Sequence, residues 1–216
     1  LRTEVRIVAA AGTLPEIHAS GGLAARRTGP DTVHLIGTAA TPLGGDELDI
    51  RIVVGPGARL VVRSVAATIA LPSTRTPFSL AHWLFDVAGE LDFDPEPTIV
   101  AGGAHHHAVT EVRLTADARL RLRERVQIGR TGEDVGGWRG DLCADIGDLP
   151  LLRHRLELGA GSATDDNLTA PRALDSELVY PDDRRAETDG LVAARLPLAL
   201  GGTLSTRTGP LLVSTR

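Results

Sequence analysis

Three tetrapeptides, GARL from Gly57, AGEL from Ala88 and DARL from Asp117, recur at an interval of about 30 residues. Each follows an apolar alternating run and starts another. Each is followed at a similar offset by an isoleucine: Ile69, Ile99 and Ile128. A unit used again at this interval restricts the chain to two kinds of architecture. It is either a set of stacked, β-helix-like strand–turn–strand coils or a regular antiparallel meander.

The runs between the repeats have the period of a strand. Leu48, Ile50, Ile52 and Val54 point one way and Asp49, Arg51 and Val53 the other, as in a half-buried strand. GPGA, Gly55 to Ala58, then reads as the turn of a hairpin whose second strand runs from Arg59 to Ile69. Thr74 to Val87 places Ser79, Ala81, Trp83, Phe85 and Val87 on one face and reads as a strand, with a short helix as the alternative. Val109 to Leu114 and Arg119 to Ile128 are further strands. Outside the repeats, strands are predicted over residues 1–11, 17–25, 33–38, 153–158, 191–200 and 211–215. Residues 159–190 read as loop with one short helix near Arg172–Leu178. The predicted fold class is therefore mainly β: stacked antiparallel sheets or β-helix-like repeats with at most one or two short helices, forming a single domain over residues 1–216.

Composition narrows the chemistry. Only 3% of residues are aromatic, so the core is aliphatic. All 23 basic residues are Arg, which excludes a Schiff-base lysine or a phosphate-loop lysine. A net charge of −5 gives no general field for nucleic acid or an anionic membrane. The single cysteine, Cys143, excludes an internal disulfide and a multi-cysteine zinc site. No apolar run approaches the ~20 residues of a membrane span, and the N-terminus lacks an apolar signal region, so the expected location is the cytoplasm. There is no GxSxG, HExxH or GxGxxG followed by a helix.

His105–His106–His107 is the metal-suggestive cluster. Neighbours on a strand alternate, so His105 and His107 could chelate one ion while His106 points away. The GGA before the run favours a solvated turn instead. Glu124 is the second candidate. It falls in the same row as Leu120, Leu122, Val126 and Ile128, where a carboxylate must find a partner or shift its pKa. It either pairs with an Arg of a neighbouring strand or lines an internal polar passage. Arg119, Arg121, Arg123 and Arg125 form the opposite row, suited to a protein-docking surface or a plain solvated face. In GRTGE, two glycines permit a tight turn in which Arg130 and Glu133 can pair, and the prolines of PEPTI exclude a central ladder position.

An ordered set of segments resembles the urease accessory protein family called D in most bacteria and H in some. GGDELDIRIVVGPGARL from Gly44, containing Asp46, is similar to the family's GD, amphipathic strand and GA turn. SVAATIA, containing Thr68, resembles its TQAATKV segment. AGELDFDPEPTIVAGGA, containing Pro95, Pro97, Thr98 and Ile99, resembles its GA-x-LE-x-x-P-Q-P-T-I stretch. RERVQIGRTGE, containing Gly129, Arg130, Gly132 and Glu133, resembles its E-x-x-x-x-GR-x-x-x-GE stretch with compressed spacing, and GPLLVSTR resembles the closing strand. Val65, Ile69 and Glu96 depart from the family's usual residues.

The resemblance implies a non-enzymatic scaffold for urease maturation. It would dock on the urease apoprotein with accessory proteins F and G (the latter a GTPase) and assist nickel insertion, with nickel bound only transiently and no tight cofactor. It would also give polar residues such as Glu124 and Glu133 a place along an interior path. The alternatives are a metal-dependent, cupin-like β-sandwich enzyme using His105 and His107, and a plain β interaction domain.

Overall fold

The computed structural model describes residues 1–133, 135–167 and 169–213. In chain order the strands are β1 Arg2–Ala9, β2 Glu16–Ser20, β3 Leu23–Arg27, β4 Thr32–Gly37, β5 Glu47–Val54 and β6 Arg59–Ser64. They continue with β7 Thr68–Ala70, β8 Phe78–Val87, β9 Glu90–Phe93, β10 Thr98–Val100, β11 His105–Leu114 and β12 Arg119–Ile128. The remainder are β13 Gly137–Ile146, β14 Leu149–Gly159, β15 Ala173–Tyr180, β16 Glu187–Asp189, β17 Ala193–Pro197 and β18 Thr203–Gly209, with the short helix α1 Ala163–Asn167 after β14.

Two sheets face each other. One runs β14-β13-β11-β8-β5-β1-β2; the other runs β16-β17-β18-β15-β12-β9-β6-β4-β3, with β10 and β7 extending it beside β12. The mainly-β, stacked arrangement agrees with the alternation and the repeat. The pairing differs from the predicted hairpin. β5 and β6 lie in different sheets, so GPGA carries the chain across the sandwich rather than back along one sheet. Each later copy does the same. β5, β8 and β11 stack in parallel, as do β6, β9 and β12.

The physical reason is the like-on-like stacking that a repeated unit offers. Ile7, Ile52, Phe85, Val112 and Ala144 form one continuous row through five strands, and Leu60, Leu91 and Leu120 form a row opposite. The turns stack as closely. A Cβ on Gly89 would lie 2.2 Å from the Ala58 carbonyl oxygen and 2.5 Å from that of Gly55, so the AGEL turn needs glycine to sit on the GPGA turn. The isoleucines follow the stacking only in part. Ile69 pairs with Ile99, but Ile99 pairs with Gln127, which leaves Ile128 one residue out of register.

Other expectations are corrected. Residues 17–25 are not one strand: Gly21, at φ +86°, turns the corner between β2 in one sheet and β3 in the other. The helix expected near 172–178 is strand β15, whose alternation buries Leu174, Ser176, Leu178 and Tyr180 between β12 and β18. Strand β13 has no counterpart among the predicted strands. Residues 211–213 are not in a strand, and the rest of the predicted closing strand lies outside the described residues.

The interior holds two apolar cores. The larger is built around Ile7, Ile52, Phe85, Leu91 and Leu120. The smaller contains Val100, Val126, Ile128, Trp138, Leu158 and Leu174. Glu124 and His106 both line a cavity between the two sheets, which Trp83 and Trp138 also border.

Candidate functional site

The opening beside Glu124 exists because the repeats are unequal. In the first two coils the strand of the second sheet is interrupted, as β6 then β7 and as β9 then β10, whereas β12 runs unbroken over the same span. Residues 119–122 of β12 pair with β9 and residues 126–128 with β10. Between those ladders, Asp94–Pro97 leaves the sheet, as two residues without a backbone N–H require. Glu124 sits opposite that gap, with Ser176 of β15 as its register partner on the other side.

Glu124 makes no hydrogen bond or ion pair to the described residues, so the expected pairing with a neighbouring Arg is not formed. Burial pushes its carboxyl up to about 7. The carboxylate lies at the neck between a small cavity of about 60 Å³ and a larger one of about 500 Å³, which share Trp83, Pro95, Glu96, Thr98 and Glu124. The small one reaches Thr110, Leu142 and Ser176. The larger one opens to solvent beside Val65 and Ile69, which are 62% and 41% exposed, and runs inward to His106 and Trp138.

Three of the four arginines of the row, Arg121, Arg123 and Arg125, are ion-paired. Asp94 bridges Arg121, Arg123 and Arg125, while Asp92 and Glu177 hold Arg121 and Asp175 holds Arg123. These ion pairs fix the strand that carries Glu124. Arg125 also donates to the Pro95 carbonyl at 2.6 Å and so anchors the loop that opens the gap.

Thr68 and Thr98 are register partners in β7 and β10, and both line the larger cavity. Pro97 accepts the Thr68 amide at 2.9 Å. Pro95 lies on the wall, while Ile99 pairs with Ile69 on the rim. The PEPTI and SVAATIA segments therefore frame one opening. Asp46 stands apart as a turn anchor, accepting from the Thr41 hydroxyl and the Leu43 amide, each at 2.8 Å.

Glu133 lines neither cavity. It pairs with Arg130 and accepts the Gly102 amide at 2.8 Å, which staples the turn formed by Gly129, Arg130 and Gly132 to the turn before β11. The Arg130 hydrogen bond, with the Gly102 and Arg130 amides, holds its carboxyl down at about 2.

The histidine run is the start of strand β11, not a solvated turn; the turn ends at Ala104. His105 and His107 share the outer face. The His105 ring lies 5.1 Å from that of Phe78, tilted by 31°, and His107 Nε2 lies 2.7 Å from Asp141. Among the described residues no three His, Cys, Asp or Glu side chains converge as a metal site. His106 points inward, 6% exposed, with Nδ1 at 2.9 Å from the Ser79 hydroxyl. Burial, with a smaller contribution from His107, lowers its pKa to about 4. Sequence reasoning passed over His106 as a cavity residue. The signal was present, because His106 is in phase with Thr110, Val112 and Leu114.

Known proteins bear on this geometry. The UreD urease accessory protein family matches residues 6–180. A urease accessory protein UreD of Frankia alni is 45% identical over 198 residues, covering 80% of this chain and 66% of the relative. UreD 1 of Saccharopolyspora erythraea is 39% identical over 190 residues, covering 86% and 74%. UreD of Streptomyces coelicolor is 38% identical over 159 residues, covering 69% and 61%. The chain thus spans from about half to three quarters of the length of the relatives it matches.

Proposed function

The chain belongs to the UreD urease accessory protein family, and on that premise we propose that it is a non-catalytic scaffold for urease maturation. In this reading it docks in the cytoplasm on the urease apoprotein together with accessory proteins F and G and assists nickel insertion. Nickel is cargo, held transiently. The match over residues 6–180 carries the reading. The structure supports it by the placement of the family segments: SVAATIA and PEPTI frame the mouth of a cavity whose inner wall carries the unpaired Glu124. Among the described residues no helix is long and apolar enough to cross a membrane.

The test is to co-express a urease with its other accessory proteins, with this gene present or deleted. Active urease is expected only when the gene is present. Equal activity without it would refute the proposal.

A further inference from the structure

The run His105–His107 has no part in the scaffold reading. Alternation sends His106 inward and its neighbours outward, so the three imidazoles straddle the wall of the first sheet. Outside, they line an open cleft of about 360 Å³ with Phe78, Arg139 and Glu157. Inside, His106 lines the cavity that holds Glu124. His106 and Trp138 are common to cleft and cavity and form the partition between them.

The partition is tightly built. The His105 ring lies over Gly137, where a Cβ would come within 2.4 Å of its Nδ1. The Trp138 ring lies over Gly140, where a Cβ would come within 2.2 Å. Glycine at both positions clears the room that the rings occupy. Each of the other two imidazoles has an orienting partner, His106 in Ser79 and His107 in Asp141. Such outer partners fix the tautomer and direction of metal-binding histidines.

We propose that His105–His107 is a capture site for a late-transition-metal divalent cation, taken up in the outer cleft and passed to His106 Nε2 on the cavity side. It rests on the nickel-handling reading and adds an entry point and a ligand to it. Neutral imidazole is a ligand for Ni, Cu and Zn and not for Mg. When the Ser79 hydroxyl accepts from Nδ1–H, the lone pair of Nε2 is left for the cation; that nitrogen has no hydrogen-bond partner among the described residues.

Trp138 reports on the site, because the chain has two tryptophans and Trp83→Phe leaves it alone. Ni²⁺ added to the full-length Trp83→Phe chain is expected to quench Trp138 emission, and Mg²⁺ to leave it unchanged. His106→Gln in that background is expected to reduce the Ni²⁺ response to the Mg²⁺ level. His105→Ala with His107→Ala is expected to raise the half-quenching concentration. Circular dichroism checks the fold; should His106→Gln disturb it, Ser79→Ala removes only the orienting hydroxyl and is expected to weaken quenching. No quenching by Ni²⁺, or quenching that survives both His106→Gln and Ser79→Ala, overturns the proposal. A chain that captures Ni²⁺ in this way and is still dispensable for urease activation would refute the maturation reading and leave the capture site standing.

Discussion

Burial shifts the pKa values of Glu124 and His106 in opposite directions, so their contributions to stability change oppositely across the same pH window. The folded state holds the Glu124 proton up to about pH 7, whereas the unfolded chain releases it near 4.5. Its stabilising contribution is complete below the unfolded value and is lost as pH rises through the folded one. His106 is depressed to about 4 from 6.5, so its contribution is complete above 6.5 and is lost as pH falls through about 4. Each is worth about 3 kcal/mol at most across the window. Arg123 and Arg125, which also line the small cavity, stay charged throughout. The two trends offset in the parent chain. In chelator-treated protein, urea unfolding of Glu124→Gln is expected to lose stability as pH falls from about 6.5 to 4.5, and His106→Asn to gain it. Equal pH profiles for all three proteins would contradict the assignment. Glu124 was legible because it breaks an aliphatic row. His106 was hidden by its neighbours, since a run of one residue type conceals which member faces inward.

The strands themselves were legible wherever alternation was clean, as in β5, β8 and β12. Their partners were not. A period of two states which side chains share a face but not which sheet the strand joins. Gly55–Ala58 satisfies a hairpin and a crossing between sheets equally well; the stacking of identical rows decides it. The same limit explains β15, whose Asp175, Ser176 and Glu177 weaken the apolar signal although register places them against Arg125, Glu124 and Arg123. The stacked turns give a direct test at this scale. Gly89→Ala forces a Cβ onto two backbone carbonyls of the coil below. It is expected to destabilise the fold by about 1–3 kcal/mol in urea titration, as overpacking does. A loss indistinguishable from zero would show that the coils are less closely stacked than described.

At the scale of the molecule, a stack of parallel coils needs an end. The antiparallel strand β14 supplies one, with a register shift at Ala144/Asp145, Pro150, and exposed Arg153 and Arg155. Such features blunt a free sheet edge against further pairing. The interrupted strands beside β12 leave the wall open at one place, framed by the SVAATIA and PEPTI segments, while Asp46 and the GRTGE turn lie elsewhere. The repeat was visible in the sequence, but the opening was not, because it depends on a gap in two coils facing an unbroken strand in the third. The proposed scaffold role makes nickel insertion into urease dependent on this chain. The most direct measurement is the nickel content of urease purified from cells expressing the urease and its other accessory proteins. Urease from cells with this chain is expected to be nickel-loaded, and urease from cells without it nickel-poor. Equal nickel per urease in both would contradict the account.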